Sequence, residues 1–154
     1  MWLPAGNVLN SGTGFLNPVE ETTLTIPSTA TKVITVGAYD ARFDQAAAFS
    51  GRGYTRATNQ VKPDLVAPGV EIMSCAPGGG YQVRTGTSMA TPFVTGSAAL
   101  LMQWGIVNGN DAYLYGEKMK AYLIRGARKL PGFTVYPNPV LGWGALCTAN
   151  SIPR

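Results

Sequence analysis

Ser88 stands in the stretch Arg84-Thr85-Gly86-Thr87-Ser88-Met89-Ala90-Thr91-Pro92, where a glycine turn runs directly into a long apolar segment. A hydroxyl at the start of a buried helix sits at the positive end of the helix dipole, beside backbone amides that have no intrahelical acceptor. Those amides can stabilise an oxyanion, and the helix holds the serine rigidly, which meets two requirements of a nucleophile in acyl transfer. The same position suits a purely structural role, because Ser and Thr are preferred N-caps. Asn7, in Pro4-Ala5-Gly6-Asn7, is the second candidate. An asparagine amide can donate to a developing oxyanion, and losing one such donor costs about 3 kcal/mol in a well-studied protease. Gly-Asn is equally a turn in which Asn tolerates left-handed backbone angles. What is missing is a base. The chain contains no histidine, so it holds no complete Ser-His-Asp triad, no His-ligated metal site and no His-based pH switch.

The elements that must position these residues are legible in outline. Residues 1–5 are apolar and run into Gly6-Asn7 like the end of a strand entering a turn. Residues 8–31 are rich in Gly, Ser, Thr and Pro and read as loop. Residues 32–38 are β-branched and nearly continuously apolar, which predicts a strand buried on both faces, as in a parallel sheet. Residues 45–49 predict a shorter strand, and 50–53 a turn. Leu65-Val66-Ala67 predicts another strand, stopped by Pro68-Gly69, and residues 70–75 and 81–84 flank Pro77-Gly78-Gly79-Gly80 as a hairpin. Residues 88–104 predict the longest helix, apolar nearly all round as a buried central helix is. Pro92 falls near its first turn, where proline is tolerated. Residues 115–125 predict an amphipathic helix with Met119, Tyr122 and Leu123 inward, and 132–154 an irregular tail.

Composition narrows the function classes. A chain of 154 residues is one ordinary domain by length. Charged residues make up 13%, about half of the ~25% usual in soluble domains. The net charge of +4 gathers late, in Lys118, Lys120, Arg125, Arg128 and Lys129. Without a recognised binding module this cluster reads as a solvated helix face rather than a nucleic-acid site. Cys75 and Cys147 cannot form a thiolate zinc site alone, and each reads as a buried free thiol in preference to one long-range disulfide. No apolar run approaches the ~18 residues that span a membrane, so no membrane partner is expected.

Taken together, the segments resemble the subtilisin-like serine proteases. Gly86 to Pro92, continuing through Val94-Thr95-Gly96 and Ala98-Ala99-Leu100, resembles that family's serine-nucleophile motif. Leu65 to Val70 resembles the strand and turn that precede it, and Val33 to Ala38, Phe49 to Gly53 and Gly142-Trp143-Gly144 resemble further family segments in the same order. Pro4-Ala5-Gly6-Asn7 is similar to the oxyanion-asparagine motif. The tail, with Tyr136-Pro137-Asn138-Pro139, looks most like clostridial members, some of which act in spore germination.

The resemblance implies an α/β fold with a mostly parallel sheet and a central helix starting at the serine. It implies Ser88 as nucleophile, Asn7 and the Ser88 amide as oxyanion hole, and Pro4, Ala5 and Gly6 along the pocket for the residue before the scissile bond. It implies a peptide or protein substrate and an extracellular or spore-associated setting. It brings no obligatory cofactor, although family members often bind calcium through loop carbonyls. The departures are specific. The family's early Asp-Thr-Gly and His-Gly-Thr segments have no counterpart, and Phe93 stands where the family often has a non-catalytic His. These 154 residues are therefore expected to be the C-terminal half of a peptidase domain, inactive alone, and to associate with the missing half or with copies of themselves. The competing class is a pseudo-protease or binding module of the same fold.

Overall fold

The computed structural model describes Leu3 and residues 6–153. The reading of residues 1–5 as a strand end, and the positions of Pro4 and Ala5, lie outside the described residues. Among the described residues, seven strands and three α-helices follow a long irregular stretch. The central sheet has the order β2 (Gln45–Ala46), β1 (Val36–Asp40), β5 (Leu65–Pro68). β1 and β5 are parallel, with Val36 opposite Leu65 and Ala38 opposite Ala67, and β2 is antiparallel to β1. The tail adds a parallel bridge from Ala145 to Val66 on the free edge of β5, so this irregular segment occupies a further position in the sheet. Two hairpins stand apart: β3 (Gly53–Tyr54) with β4 (Val61–Lys62), and β6 (Ile72–Cys75) with β7 (Tyr81–Arg84).

β1 begins at Val36 rather than at Lys32, and the cause is a buried ion cluster. Lys62 is 1% exposed, and its ammonium lies 2.7 Å from Asp64 Oδ2 and donates to the Val33 carbonyl at 3.1 Å. Lys120 reaches Asp64 Oδ1 at 2.7 Å and donates to the carbonyls of Thr31 and Val33. The Thr35 amide donates to Asp64 Oδ2 at 2.7 Å. Backbone groups before Val36 thus spend their hydrogen bonds on side chains instead of a strand ladder. Burial pushes the Lys62 pKa below its ordinary value. β2 is likewise shorter than expected. The Ser50 amide turns back onto the Ala47 carbonyl, and the Ser50 hydroxyl accepts the Ala38 amide at 3.0 Å.

α1 (Thr87–Met102) continues as one π-helical segment, Gln103–Val107. Ala90, Val94, Ser97 and Leu101, at helical spacing, form its buried face. Ala90, Val94 and Leu101 share one core with Ala38, Leu65 and Ala67 of the sheet. Burial is one-sided. Phe93 is 42% exposed, Leu100 51% and Val107 76%, because no second layer among the described residues covers them. The 21 residues Thr87–Val107 are long and apolar enough, by length and composition, to cross a membrane, so the expectation that no run reaches that length is corrected. Pro92 lies in the second turn and removes the amide that would have bonded the Ser88 carbonyl.

α2 (Gly116–Gly126) buries Met119 and Leu123 as its stripe predicts, and Tyr122 packs edge-on to Trp104. Asp111 ties the α1–α2 connection to α2 through Lys118 at 2.6 Å and the Tyr122 hydroxyl at 2.8 Å. Gly126 admits α3 (Thr148–Ser151) against it, because an added Cβ would lie 2.4 Å from Ser151 Oγ. Of the late cations, Arg125, Arg128 and Lys129 are exposed as a solvated face requires, whereas Lys118 and Lys120 are half-buried. Lys118 and Lys120 are engaged as described, Arg128 pairs with Asp44 at 2.7 Å, and the Lys129 ammonium sits 4.0 Å from the Tyr136 ring centre. Cys147 is half-buried, but Cys75 is exposed at the end of β6, and neither is bonded. The expectation of a buried thiol fails for Cys75 because β6 carries no layer over its outer face.

Candidate active site

The serine turn is built by two glycines. Gly69 follows β5, and its amide donates to the Tyr39 carbonyl at 3.1 Å. Its own carbonyl accepts the Gly86 amide at 2.8 Å. A Cβ on Gly69 would lie 2.6 Å from Ala38 Cβ and 2.9 Å from the Gly86 oxygen, so only glycine fits this three-way contact. Gly86 has φ 155° and ψ 163°, a region occupied essentially by glycine alone. That backbone swings the chain from β7 into the first turn of α1. The Met89 amide donates back to the Gly86 carbonyl at 3.0 Å. On the other side, the Glu71 amide donates to Thr85 Oγ1 at 2.9 Å, and Arg42 joins Glu71 to Asp40 at the end of β1.

Ser88 is therefore the second residue of α1, exposed, behind a Gly86 cap with no side-chain capping bond. The purely structural reading of Ser88 as an N-cap does not hold. Helix geometry leaves the Thr87 and Ser88 amides without intrahelical acceptors, so the turn offers an anion-binding start of α1 next to a hydroxyl. Ser88 lines an apolar cavity of about 330 Å³ with Ile72, Met73, Met89, Pro92 and Phe93. A larger cleft of about 720 Å³ reaches Thr87 and is walled by Phe49, Ser50 and Arg52 among others. Gly6 opens a 3-10 turn, Gly6–Val8, in which Asn7 is exposed. Asn7 is not among the walls of the Ser88 cavity.

Three acids of the chain are committed elsewhere. Hydrogen bonds from Arg42 hold Asp40 below its ordinary pKa, Arg128 does so for Asp44, and Lys118 followed by Tyr122 does so for Asp111. A general base acting near neutral pH needs a raised carboxylate pKa, and these three move the other way. Among the described residues, no three His, Cys, Asp or Glu side chains gather as a metal site. Where the carbonyls of Thr31 and Val33 converge on Asp64, two ammonium groups fill the cage, so those residues do not fit a calcium ion. Local motifs pointed to Ser88 and Asn7, but the sequence bore no sign of Asp64, Lys62 and Lys120 acting together. The positioning role of Gly69 had one signal, the Pro68-Gly69 stop after an apolar run.

Comparison with known proteins places the chain in a family. A sequence model of the subtilase family matches residues 4–144. Serine protease AprX of Bacillus subtilis (strain 168) is 34% identical, over 97% of this chain and 36% of its own length. Minor extracellular protease Vpr of the same organism is 34% identical, over 71% of this chain and 14% of its own length. The solved structure of the Clostridium perfringens CspB protease is 48% identical with a TM-score of 0.88, over 93% of this chain and 30% of that one. The chain thus spans about a third of these two longest-matched relatives, and with a family match over almost all its length it belongs to the subtilase family.

Proposed function

We propose that the chain is the serine-bearing, C-terminal part of a subtilisin-like peptidase domain, and that Ser88 attacks the carbonyl of a peptide bond to form an acyl-enzyme. The observation that carries this reading is the exposed Ser88 hydroxyl behind the uncapped start of α1. The Ser88 amide and the Asn7 side chain donate to the oxyanion, and Pro4, Ala5 and Gly6 flank the substrate residue before the scissile bond. The proton of Ser88 goes to a base outside these 154 residues, since the chain has no histidine and cations hold Asp40, Asp44 and Asp111. This chemistry needs no cofactor. The chain's partners are the base-bearing half and a peptide or protein substrate. The setting is extracellular or spore-associated, and the name of the minor extracellular protease Vpr supports the extracellular part of that reading.

Labelling with a fluorophosphonate tests the reading. The natural gene product containing these residues should label rapidly at Ser88 and cleave peptides, and Ser88→Ala should abolish both. The 154-residue chain alone should label at a rate lower by about three orders of magnitude or more, because a serine without its base retains only residual reactivity. Rapid labelling of the isolated chain would show that the base lies within it. A gene product that neither labels nor cleaves would be a pseudo-protease.

A further inference from the structure

The strand that leads into the serine turn carries a cation that none of the roles above uses. β7 ends at Arg84, four residues before Ser88. β6 and β7 form a two-stranded sheet, so the edge of β7 away from β6 has no strand upon it among the described residues. The backbone groups on such an edge are a template for an added extended peptide. The side chains beside it suit a peptide too. Tyr81 is 75% exposed, and Val83 faces Met73 across the hairpin with both exposed.

Arg84 is exposed, and its guanidinium donates to the neutral amide oxygen of Gln82 at 3.2 Å. Among the described residues no carboxylate pairs with it, nor with Arg56 or Arg125, whereas Arg42, Arg52 and Arg128 each meet an acid. The nearby acids, Asp40 and Glu71, are both taken by Arg42. The rim of the serine turn therefore presents an uncompensated positive charge at the end of an open strand edge.

We infer that Arg84 reads an acidic side chain of a substrate laid as an extended strand along β7. This rests on the reading of Ser88 as the nucleophile. Four residues of chain reach at most ~14 Å, and an extended peptide advances ~3.3 Å per residue. The acidic side chain thus lies within about four residues of the scissile bond.

The test is a set of peptides with Glu, Gln or Lys at each of four positions on either side of the scissile bond. The readout is the ratio of kcat/KM for Glu over Gln, measured with the natural gene product and its Arg84 variants. One position should favour Glu about three- to fivefold, the range of an exposed ion pair. The preference should fade in ~1 M salt, where the screening length falls to ~3 Å. Arg84→Gln should bring the ratio to one, Arg84→Glu should shift the preference to Lys, and Arg84→Lys should retain part of it. Because each ratio is taken within one variant, a general loss of activity does not mimic the result. An unchanged Glu preference in Arg84→Gln and Arg84→Glu, or no Glu preference at any position, overturns the inference while leaving Ser88 as nucleophile. A gene product that neither cleaves nor labels removes both readings together.

Discussion

Asp64 bridges two ammonium groups at once. Its carboxylate lies 2.7 Å from both Lys62 and Lys120 and also accepts the Thr35 amide, with almost no access to water. An ion cluster of this kind is a weak source of net stability, since desolvating the charges offsets their attraction. Removing one member is a different matter, because the others are left buried and unpaired. Asp64→Asn should destabilise the protein by about 3–5 kcal/mol, read as a shift of the denaturation midpoint. Lys62→Met combined with Asp64→Asn should recover part of that loss. A single substitution costing under about 1 kcal/mol would mean that water reaches the cluster. The cluster bears on the site because it precedes the pairing of β1 with β5, and β5 delivers Gly69 to the serine turn.

Between elements, the placement of Ser88 depends on backbone approaches that admit no Cβ. Gly69 and Gly86 fail for different reasons when replaced. An alanine at Gly69 would overlap Ala38 and the Gly86 carbonyl, an overpacking that typically costs 1–3 kcal/mol. An alanine at Gly86 finds room, its nearest neighbour being Met89 Sδ at 3.6 Å, but must hold a backbone conformation costing about 1–3 kcal/mol. Both variants of the natural gene product should label more slowly with fluorophosphonate at Ser88, and labelling at the original rate would show that the turn is set by other contacts. The same contrast explains what was legible in the amino-acid sequence. The β6–β7 hairpin, β5, α1 and α2 carry local signals: a Pro-Gly-Gly-Gly turn, a short apolar run with a Pro-Gly stop, and apolar residues at helical spacing. Ser88 was legible because a short contiguous motif contains it. The start of β1 was not, because Asp64, Lys62 and Lys120 take its backbone groups from 29 to 89 residues away. The bridge from Ala145 to Val66 was hidden for the same reason, as a single long-range pairing leaves no periodic trace.

At the scale of the whole molecule, the surface is too large for the mass. A compact chain of 16.2 kDa should expose about 7,500 Å², and this one exposes 9658 Å². The excess, roughly 2,200 Å² on one partner, is the scale of an obligate interface rather than a transient one. One apolar part of it lies along α1 and its π-helical extension, where Phe93, Leu100, Met102, Ile106 and Val107 are exposed. The low charge fraction of 13% fits a chain whose surface was selected to be covered. A helix apolar nearly all round is stable in water only when a second layer closes over it. The isolated chain should therefore self-associate, with a sedimentation coefficient that rises with concentration, and should bind a hydrophobic dye. On the proposed function a base-bearing half covers α1, so co-expression with the remainder of the gene product should suppress both signals. Replacing Leu100 and Val107 with Lys should reduce self-association of the isolated chain while weakening its capture by the other half. A monomer that stays compact at low concentration, binds no dye and unfolds in one cooperative step would show that α1 closes its outer face without a partner.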